Sequence, residues 1–170
     1  MIELKPLTKE HLTPFYKWLN DDNVINYSLT LFQQLSTEEE ISKWFSELLK
    51  DSKNYTTGIF LKESEVLIGY SGICNISSAN RSGEFFIFIG DKSHWGKGIG
   101  TLVTKQILAY GFEELNLNRI MLTVSAPNIG GIRAYEKAGF KKEGIMRNAC
   151  FRDGQFHDKI MMSILRDEWG

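Results

Sequence analysis

Three glycines alternate with other residues in the string HWGKGIGTLV, at Gly96, Gly98 and Gly100. An apolar segment typical of a strand precedes the string, and a segment typical of a helix follows it. Glycines at such a junction permit positive φ angles and let a ligand approach the backbone, while the first N–H groups of the helix point outward. Together with the helix dipole and Lys97, they predict a binding site for a phosphate or pyrophosphate. A tight turn that needs glycine for its geometry alone is the alternative.

Two common nucleotide-binding motifs do not fit this string. A Walker A loop has four residues between its first glycine and the Gly-Lys pair, whereas Gly90 and Gly96 enclose five residues and Lys97 precedes another glycine. A dinucleotide fingerprint would have Thr101 or Val103 where its third glycine belongs, and the next predicted strand ends without an acidic residue. The string therefore predicts a phosphate site of another kind.

Cysteine and histidine do not indicate a metal or a disulfide framework. Cys74 and Cys150 are far apart in the sequence, and we expect two free thiols in strands. His11, His94 and His157 lack the spacing of metal ligands, so no metal is expected. Cys150 as a covalent nucleophile would imply ping-pong kinetics, but no neighbouring residue in the sequence would activate it.

The composition is that of an ordinary globular protein. The 170 residues favour a single domain spanning 1–170, with 42% hydrophobic and 24% charged residues. Because 20 Lys and Arg oppose 21 Asp and Glu, strong binding of nucleic acid is not expected. No apolar run approaches the roughly 20 residues of a membrane span, and the N-terminus lacks the pattern of a signal peptide. We therefore expect a cytoplasmic protein without a membrane partner.

Hydrophobic periodicity predicts the element order β-α-α-β-β-β-α-β-α-β-β, which is a mixed α/β domain. Only the strand–helix–strand unit around the glycine-rich string requires parallel strands. A capping box of Ser36 and Glu39 is expected to begin the second helix. The predicted helices are 8–20, 36–50, 98–114 and 130–139, and the predicted strands are 2–7, 55–63, 66–77, 83–90, 118–125 and one on each side of Asp153-Gly154.

These features together resemble a GNAT-superfamily N-acetyltransferase, a family in which a Q/R-x-x-G-x-G/A loop binds acetyl-coenzyme A. The loop here begins at Trp95, which replaces the usual Gln or Arg, and ends at Gly100. Other matching strings are WLND, LNLNRI, EKAGFKKEG, RDGQFHD and the stretch from Asn128 to Tyr135. HWGKG is similar to one branch, the ribosomal-protein alanine and serine acetyltransferases and their spermidine- and sugar-acetylating relatives.

The resemblance implies a single-domain α/β (mixed α+β) fold. Its central twisted sheet is mixed but mostly antiparallel, with helices on both faces. Strands 83–90 and 119–125 would run parallel and splay apart, which leaves a wedge for the pantetheine arm. Residues 97–101 would hold the pyrophosphate, Asn128 would contact pantetheine and Arg133 would reach the adenosine end. The residues expected to bind acetyl-CoA are Ile87, Phe88, Ile89, Trp95, Gly96, Lys97, Gly98, Ile99, Gly100, Thr101, Asn128 and Arg133.

Acetyl transfer to an amine needs a neutral amine and a proton for the departing thiolate. Tyr135 matches the family's general acid. A phenol has a pKa of about 10 and a thiol one of about 8.5, so transfer of a proton from the phenol to the departing thiolate would cost little free energy. Glu84, on the strand that faces the cleft, is the best-placed carboxylate for a base. The alternatives are a tyrosine packed in the core and a solvated glutamate. Gly130 and Gly131 are expected to loosen the start of the helix that carries Tyr135.

The acceptor pocket is expected to form from the 21–35 connection, the neighbouring helices and the final hairpin. Asp21 and Asp22 would attract a cationic amine, and Tyr27 or Phe32 would form a wall. Two solvated acids at a helix end are the alternative interpretation.

The implied activity is transfer of the acetyl group of acetyl-CoA to a primary amine by direct attack in a ternary complex. Three acceptor classes remain open: a protein N-terminus, a polyamine or drug-like amine, and an amino sugar. A non-enzymatic acyl-CoA-binding module is the other class of function, and Tyr135 counts against it because binding alone needs no proton donor. A homodimer is compatible with the sequence.

Overall fold

The computed structural model describes residues 1–170 and contains one seven-stranded sheet. Three 3₁₀ turns, at Lys9–His11, Thr30–Gln33 and Lys92–His94, lie between its elements, and a fourth, at Arg166–Glu168, follows the last strand. The strands are β1 Ile2–Lys5, β2 Tyr55–Leu61, β3 Leu67–Ser77, β4 Ser82–Ile89, β5 Arg119–Ser125, β6 Lys141–Arg152 and β7 Gln155–Leu165. The helices are α1 Thr13–Trp18, α2 Asp22–Ile25, α3 Glu38–Lys50, α4 Ile99–Glu113 and α5 Ile129–Ala138.

The sheet has the strand order β1-β2-β3-β4-β5-β7-β6. β4 and β5 are parallel, and every other neighbouring pair is antiparallel. Because α4 connects β4 to β5, the one crossover unit that the periodicity predicts also contains the one parallel pair. None of the helices is both long and apolar enough to cross a membrane.

The N-terminal part of the chain is more divided than its periodicity predicts. The expected helix 8–20 is a 3₁₀ turn followed by α1, which begins at Thr13 because Pro14 lacks an N–H and is tolerated only in a first helical turn. The polar connection 21–35 contains α2 and a second 3₁₀ turn. Asp21 begins α2 by accepting a hydrogen bond from the backbone N–H of Asn23 at 3.0 Å.

The capping box of α3 lies one residue later than predicted. The Glu40 backbone N–H donates to Thr37 Oγ1 at 3.1 Å, and the Thr37 N–H donates to Glu40 Oε1 at 3.0 Å. The assignment to Ser36 and Glu39 was therefore wrong. Thr37 is the residue with the extended backbone that an N-cap needs, with φ −92° and ψ 154°.

Two apolar cores hold the sheet from opposite faces. On one face α4 places Val103, Ile107 and Phe112 against side chains of β3, β5 and β7. On the other face the core is aromatic, with Phe15 of α1 contacting Phe45 of α3 at a ring-centroid distance of 5.2 Å. Helices therefore cover both faces, as expected, and the strands between them are fixed by burial on both sides.

The parallel strands separate after a short paired segment. β4 and β5 pair at Ser82 with Arg119, Gly83 with Ile120 and Glu84 with Met121, and no further. Both strands continue beyond that point, β4 on β3 and β5 on β7. The sheet consequently opens into a wedge whose vertex is Glu84.

Candidate active site

A cavity of about 260 Å³ lies in the wedge. Its walls include residues 85–87 of β4 and 122–125 of β5, where the two strands no longer pair. Residues 27–30 of the N-terminal connection, α5 and the β6–β7 hairpin complete it. The connection and the hairpin thus contribute to this pocket as predicted.

Tyr135 of α5 reaches the cavity from the face of the sheet that α4 covers. Its ring packs edge-on against the rings of Phe85 and Phe140, at ring-centroid distances of 6.0 Å and 6.2 Å. Burial raises the pKa of the Tyr135 phenol to about 12, because the apolar surroundings disfavour the phenolate. The side chain therefore carries a proton at every pH near neutrality.

Glu84 lines the same cavity at the vertex of the wedge. Side chains alternate along a strand, so Glu84 lies on the face opposite to Phe85, which belongs to the α4-side core. Asn75 Nδ2 donates a hydrogen bond to Glu84 Oε1 at 2.9 Å and orients the carboxylate. The cavity therefore has a carboxylate on one face of the sheet and a protonated phenol on the other.

The glycine-rich string leads into the uncapped N-terminus of α4. Gly96 and Gly98 have φ angles of 71° and 80°, which side-chain-bearing residues rarely adopt. Gly98 is the N-cap, and no side chain accepts a hydrogen bond from the first turn of the helix. Lys97 is exposed beside it. The first backbone N–H groups of α4 therefore have no side-chain partner, and they lie next to the lysine.

Trp95 fastens this loop to the end of β4. Its indole Nε1 donates to the backbone carbonyl of Ile89 at 2.9 Å, while 43% of the side chain remains exposed. The departure from Gln or Arg at this position thus has a structural use, since the ring fixes the loop relative to the strand that borders the wedge.

Asn128 is the N-cap of α5. Its Oδ1 accepts a hydrogen bond from the Gly131 N–H at 3.0 Å. A Cβ on Gly131 would lie 2.6 Å from Asn128 Nδ2, so a larger residue would displace the capping side chain. The loosening expected from Gly131 is therefore incomplete, because this glycine makes room for the cap that begins the helix.

The remaining sequence-predicted residues divide between the cavity and other surroundings. Ile87 lines the cavity. Ile89 is partly buried against the α4-side core, and the side chain of Phe88 is buried in the aromatic core, which leaves only its backbone on the edge of the wedge. Arg133 is exposed on α5.

Comparison with known proteins assigns the fold and the class of chemistry. A model of the family described as acetyltransferase (GNAT) domain matches residues 2–141. The chain belongs to this family. It is 36% identical over 124 residues to the probable N-acetyltransferase YjcK of Bacillus subtilis, which covers 73% of this chain and 68% of that protein. It is 28% identical over 169 residues to the spermidine N(1)-acetyltransferase of Escherichia coli K12, covering 99% of this chain and 88% of that one.

A solved relative has the same architecture. The structure of spermidine N-acetyltransferase from Vibrio cholerae in complex with CoA and spermine matches with a TM-score of 0.88 at 26% identity, over 98% of this chain and 96% of that chain. The predicted fold class is confirmed. The chain is an acetyl-CoA-dependent N-acetyltransferase, and a purely non-enzymatic binding module is set aside.

Two predicted features of the acceptor side are wrong. Asp21 is not free to attract an amine, because Lys92 Nζ donates to its Oδ2 at 2.9 Å, and this hydrogen bond holds the pKa of Asp21 below its usual value. Asp22 is exposed and lies outside the cavity lining. Phe32 is not a wall, since it is 1% exposed in the aromatic core. Tyr27 does line the cavity, as predicted.

Two basic residues at this enzyme's cavity have no assigned role in the sequence pattern. Arg152 at the end of β6 and Lys159 of β7 both line it. Arg152 belongs to the matching string RDGQFHD, which marked the hairpin but not the direction of its side chains. Cys74 and Cys150 are free thiols, as predicted. No group of three or more His, Cys, Asp or Glu side chains is arranged to hold a metal ion.

Proposed function

We propose that this enzyme acetylates the primary amine of a small acceptor by direct attack on acetyl-CoA in a ternary complex. The observation that carries the proposal is that Glu84 and Tyr135 line one cavity at the gap between β4 and β5. A base for the attacking amine and an acid for the leaving group are thereby available to one reacting centre. Holding the amine beside the thioester supplies much of the rate by proximity.

The acetyl-CoA site would extend along the wedge to the α4 N-terminus. Backbone groups of β4 and β5 that face the gap have no strand partner, so they are available to a pantetheine arm. Residues 97–101 would hold the pyrophosphate, with Trp95 fixing their loop. Asn128, at the cavity, would contact pantetheine, and exposed Arg133 would meet the adenosine end.

The two proposed catalytic groups move the protons of the reaction. Glu84 accepts a proton from the acceptor ammonium, directly or through one water, so that the nitrogen lone pair can attack the thioester carbon. The new C–N bond forms, and the C–S bond breaks with its electron pair going to sulfur. Tyr135 then gives its phenolic proton to that sulfur, which yields the thiol of coenzyme A. The phenolate so formed takes the second proton from the acylated nitrogen, which leaves a neutral amide and restores the phenol. The apolar site that raises the pKa of Tyr135 also disfavours a bare thiolate.

A small acceptor fits the size of the cavity. Its volume of about 260 Å³ lies near the lower end of the roughly 300–1,000 Å³ that is usual for small-molecule sites. A polyamine is a second candidate, because relatives at 26–28% identity are spermidine acetyltransferases.

We also propose a cytoplasmic location, which fits a cytoplasmic co-substrate and two free cysteines. A single domain and a homodimer stay predictions.

The release of coenzyme A thiol from acetyl-CoA tests the proposal. The panel of acceptors comprises amino acids, spermidine, amino sugars and short peptides with free N-termini. We expect turnover with at least one small amine and formation of the acetylated product by mass. Binding of acetyl-CoA without turnover on any acceptor would overturn the proposed function.

A further inference from the structure

Arg152 is a buried cation at the acceptor cavity. Its side chain is 6% exposed and lies among the cavity-lining residues. Its Nε donates a hydrogen bond to the backbone carbonyl of Asn26 at 3.0 Å. Its Nη1 donates to the backbone carbonyl of the preceding residue, Phe151, at 2.9 Å, and its Nη2 donates to Thr30 Oγ1 at 3.5 Å. All three acceptors are neutral oxygens. A guanidinium has five N–H groups, so one remains on each terminal nitrogen.

The protein supplies no carboxylate to neutralise this charge. Its five ion pairs include neither Arg152 nor the neighbouring cavity residue Lys159. Glu84 is the one acidic residue of the cavity lining, and its described hydrogen bond is with Asn75. The lining therefore carries two positive side chains against one negative side chain. Removing an unpaired charge from water is costly, so a buried arginine ordinarily has an anionic partner.

Anchoring the N-terminal connection does not by itself explain an arginine here. The bonds to Asn26 and Thr30 tie the end of β6 to residues that wall the cavity. A neutral amide side chain could donate such bonds without the cost of burying a charge. The buried guanidinium charge therefore has no counter-charge among the ion pairs of the protein.

We propose that the acceptor carries a carboxylate that pairs with Arg152, so that the enzyme acetylates a small amino acid. This inference rests on the proposed function. A zwitterion matches the lining, with its ammonium toward Glu84 and its carboxylate toward the free N–H fork of Arg152. A polyamine would bring further positive charge to Arg152 and Lys159, and a protein N-terminus has no carboxylate beside its amine.

Matched acceptors test this assignment without any variant. The twenty amino acids are assayed first. The best of them is then compared with its amide and with its decarboxylated amine, and each kcat/KM is calculated from the concentration of the unprotonated amine. We expect kcat/KM for the amino acid to exceed both by at least about tenfold, because the charged pair is lost in the other two. Equal or better use of the neutralised forms, or turnover of amines but of no amino acid, would overturn the assignment.

Arg152→Gln locates the selectivity. It should remove most of the preference for the carboxylate, while thermal stabilisation by acetyl-CoA shows that the variant folds and binds its co-substrate. Arg147→Gln, an exposed position on the same strand, is the matched control and should keep the preference. A preference that survives in Arg152→Gln contradicts the assignment. Failure of the proposed function is a different result, namely no release of coenzyme A with any acceptor.

Discussion

Glu84 pairs with Met121 at the last position where β4 and β5 still run side by side. Beyond it the two strands follow different neighbours, and the sheet opens. The carboxylate is consequently placed at the vertex of the gap by the topology of the sheet rather than by a loop. Glu84 is paired with Cys74 of β3 on one side and with Met121 of β5 on the other, so its backbone is held by both neighbouring strands. A fixed backbone suits the proposed role of a base that must meet the reacting amine within hydrogen-bond distance.

Glu84→Gln should lower kcat by about a hundredfold or more near neutral pH, because a positioned general base commonly contributes that much. The loss should shrink at high pH, where the acceptor amine is already neutral. Initial rates across pH with saturating acetyl-CoA measure both effects. Glu113→Gln, at an exposed position of α4, is the control and should behave like the unchanged enzyme. A parallel pH–rate profile in Glu84→Gln would remove this residue as the base.

Gly98→Ala should weaken binding of acetyl-CoA and destabilise the fold. At φ 80° an alanine costs about 1–2 kcal/mol, although its Cβ would meet nothing within 4 Å. Gly130→Ala is the matched control, since it too has free space but its φ is not positive, and it should stabilise α5 by about 0.5–1 kcal/mol. Urea unfolding and the KM for acetyl-CoA measure the pair. Equal effects of the two substitutions would contradict the role of the left-handed turn.

Trp95→Phe keeps an aromatic ring but removes the indole N–H that bonds the Ile89 carbonyl. We expect the KM for acetyl-CoA to rise by severalfold with little change in kcat, since the loop loses its anchor and the proposed catalytic groups do not move. One hydrogen bond of about 1 kcal/mol sets this scale. Steady-state kinetics with varied acetyl-CoA decide it, and an unaltered KM would show that the anchor is dispensable.

Stability should fall as the pH rises above about 9. Burial raises the pKa of Tyr70 and raises that of Cys74 to about 11, so the folded protein retains protons that the unfolded chain loses near pH 10 and 8.5. The stabilisation is complete below those unfolded values and is lost above them. Tyr70 alone contributes about 0.8 kcal/mol of this loss at pH 10.5.

Urea unfolding at pH 8 and pH 10.5 measures the effect. Tyr70→Phe has no proton to lose, so its free energy of unfolding should decline less between the two pH values than that of the unchanged protein. Identical declines would show that the Tyr70 hydroxyl ionises as freely in the folded state as in the unfolded state.

The order of the strands and of the longer helices, and the glycine-rich turn before α4, could be predicted because they depend on local sequence, whereas the short helix α2 was missed. The glycine spacing at 96–100 specifies a left-handed turn before a helix, and a strand–helix–strand unit specifies the parallel pair. Local sequence signals can also misplace a helix boundary by one residue. Ser36 and Thr37 are adjacent, and both have the hydroxyl that an N-cap needs. Backbone conformation, which the sequence does not display, decided between them.

The acceptor side could not be predicted because its contacts join distant parts of the chain. The bond from Arg152 to Asn26 spans 126 residues, and that from Lys92 to Asp21 spans 71. Neither pairing leaves a periodic pattern in either segment. Phe32 illustrates the same limit, because an aromatic residue in a polar connection is compatible with a pocket wall or with the core in which it lies.

Turnover by Tyr135→Phe tests the central claim most directly. Phenylalanine keeps the ring that packs against Phe85 and removes only the proposed proton donor. We predict that release of coenzyme A falls by about a hundredfold or more, while the Kd for acetyl-CoA, measured by calorimetry, changes by less than about twofold. Unchanged turnover with intact binding would contradict the assignment of Tyr135 as the acid that protonates the leaving thiolate.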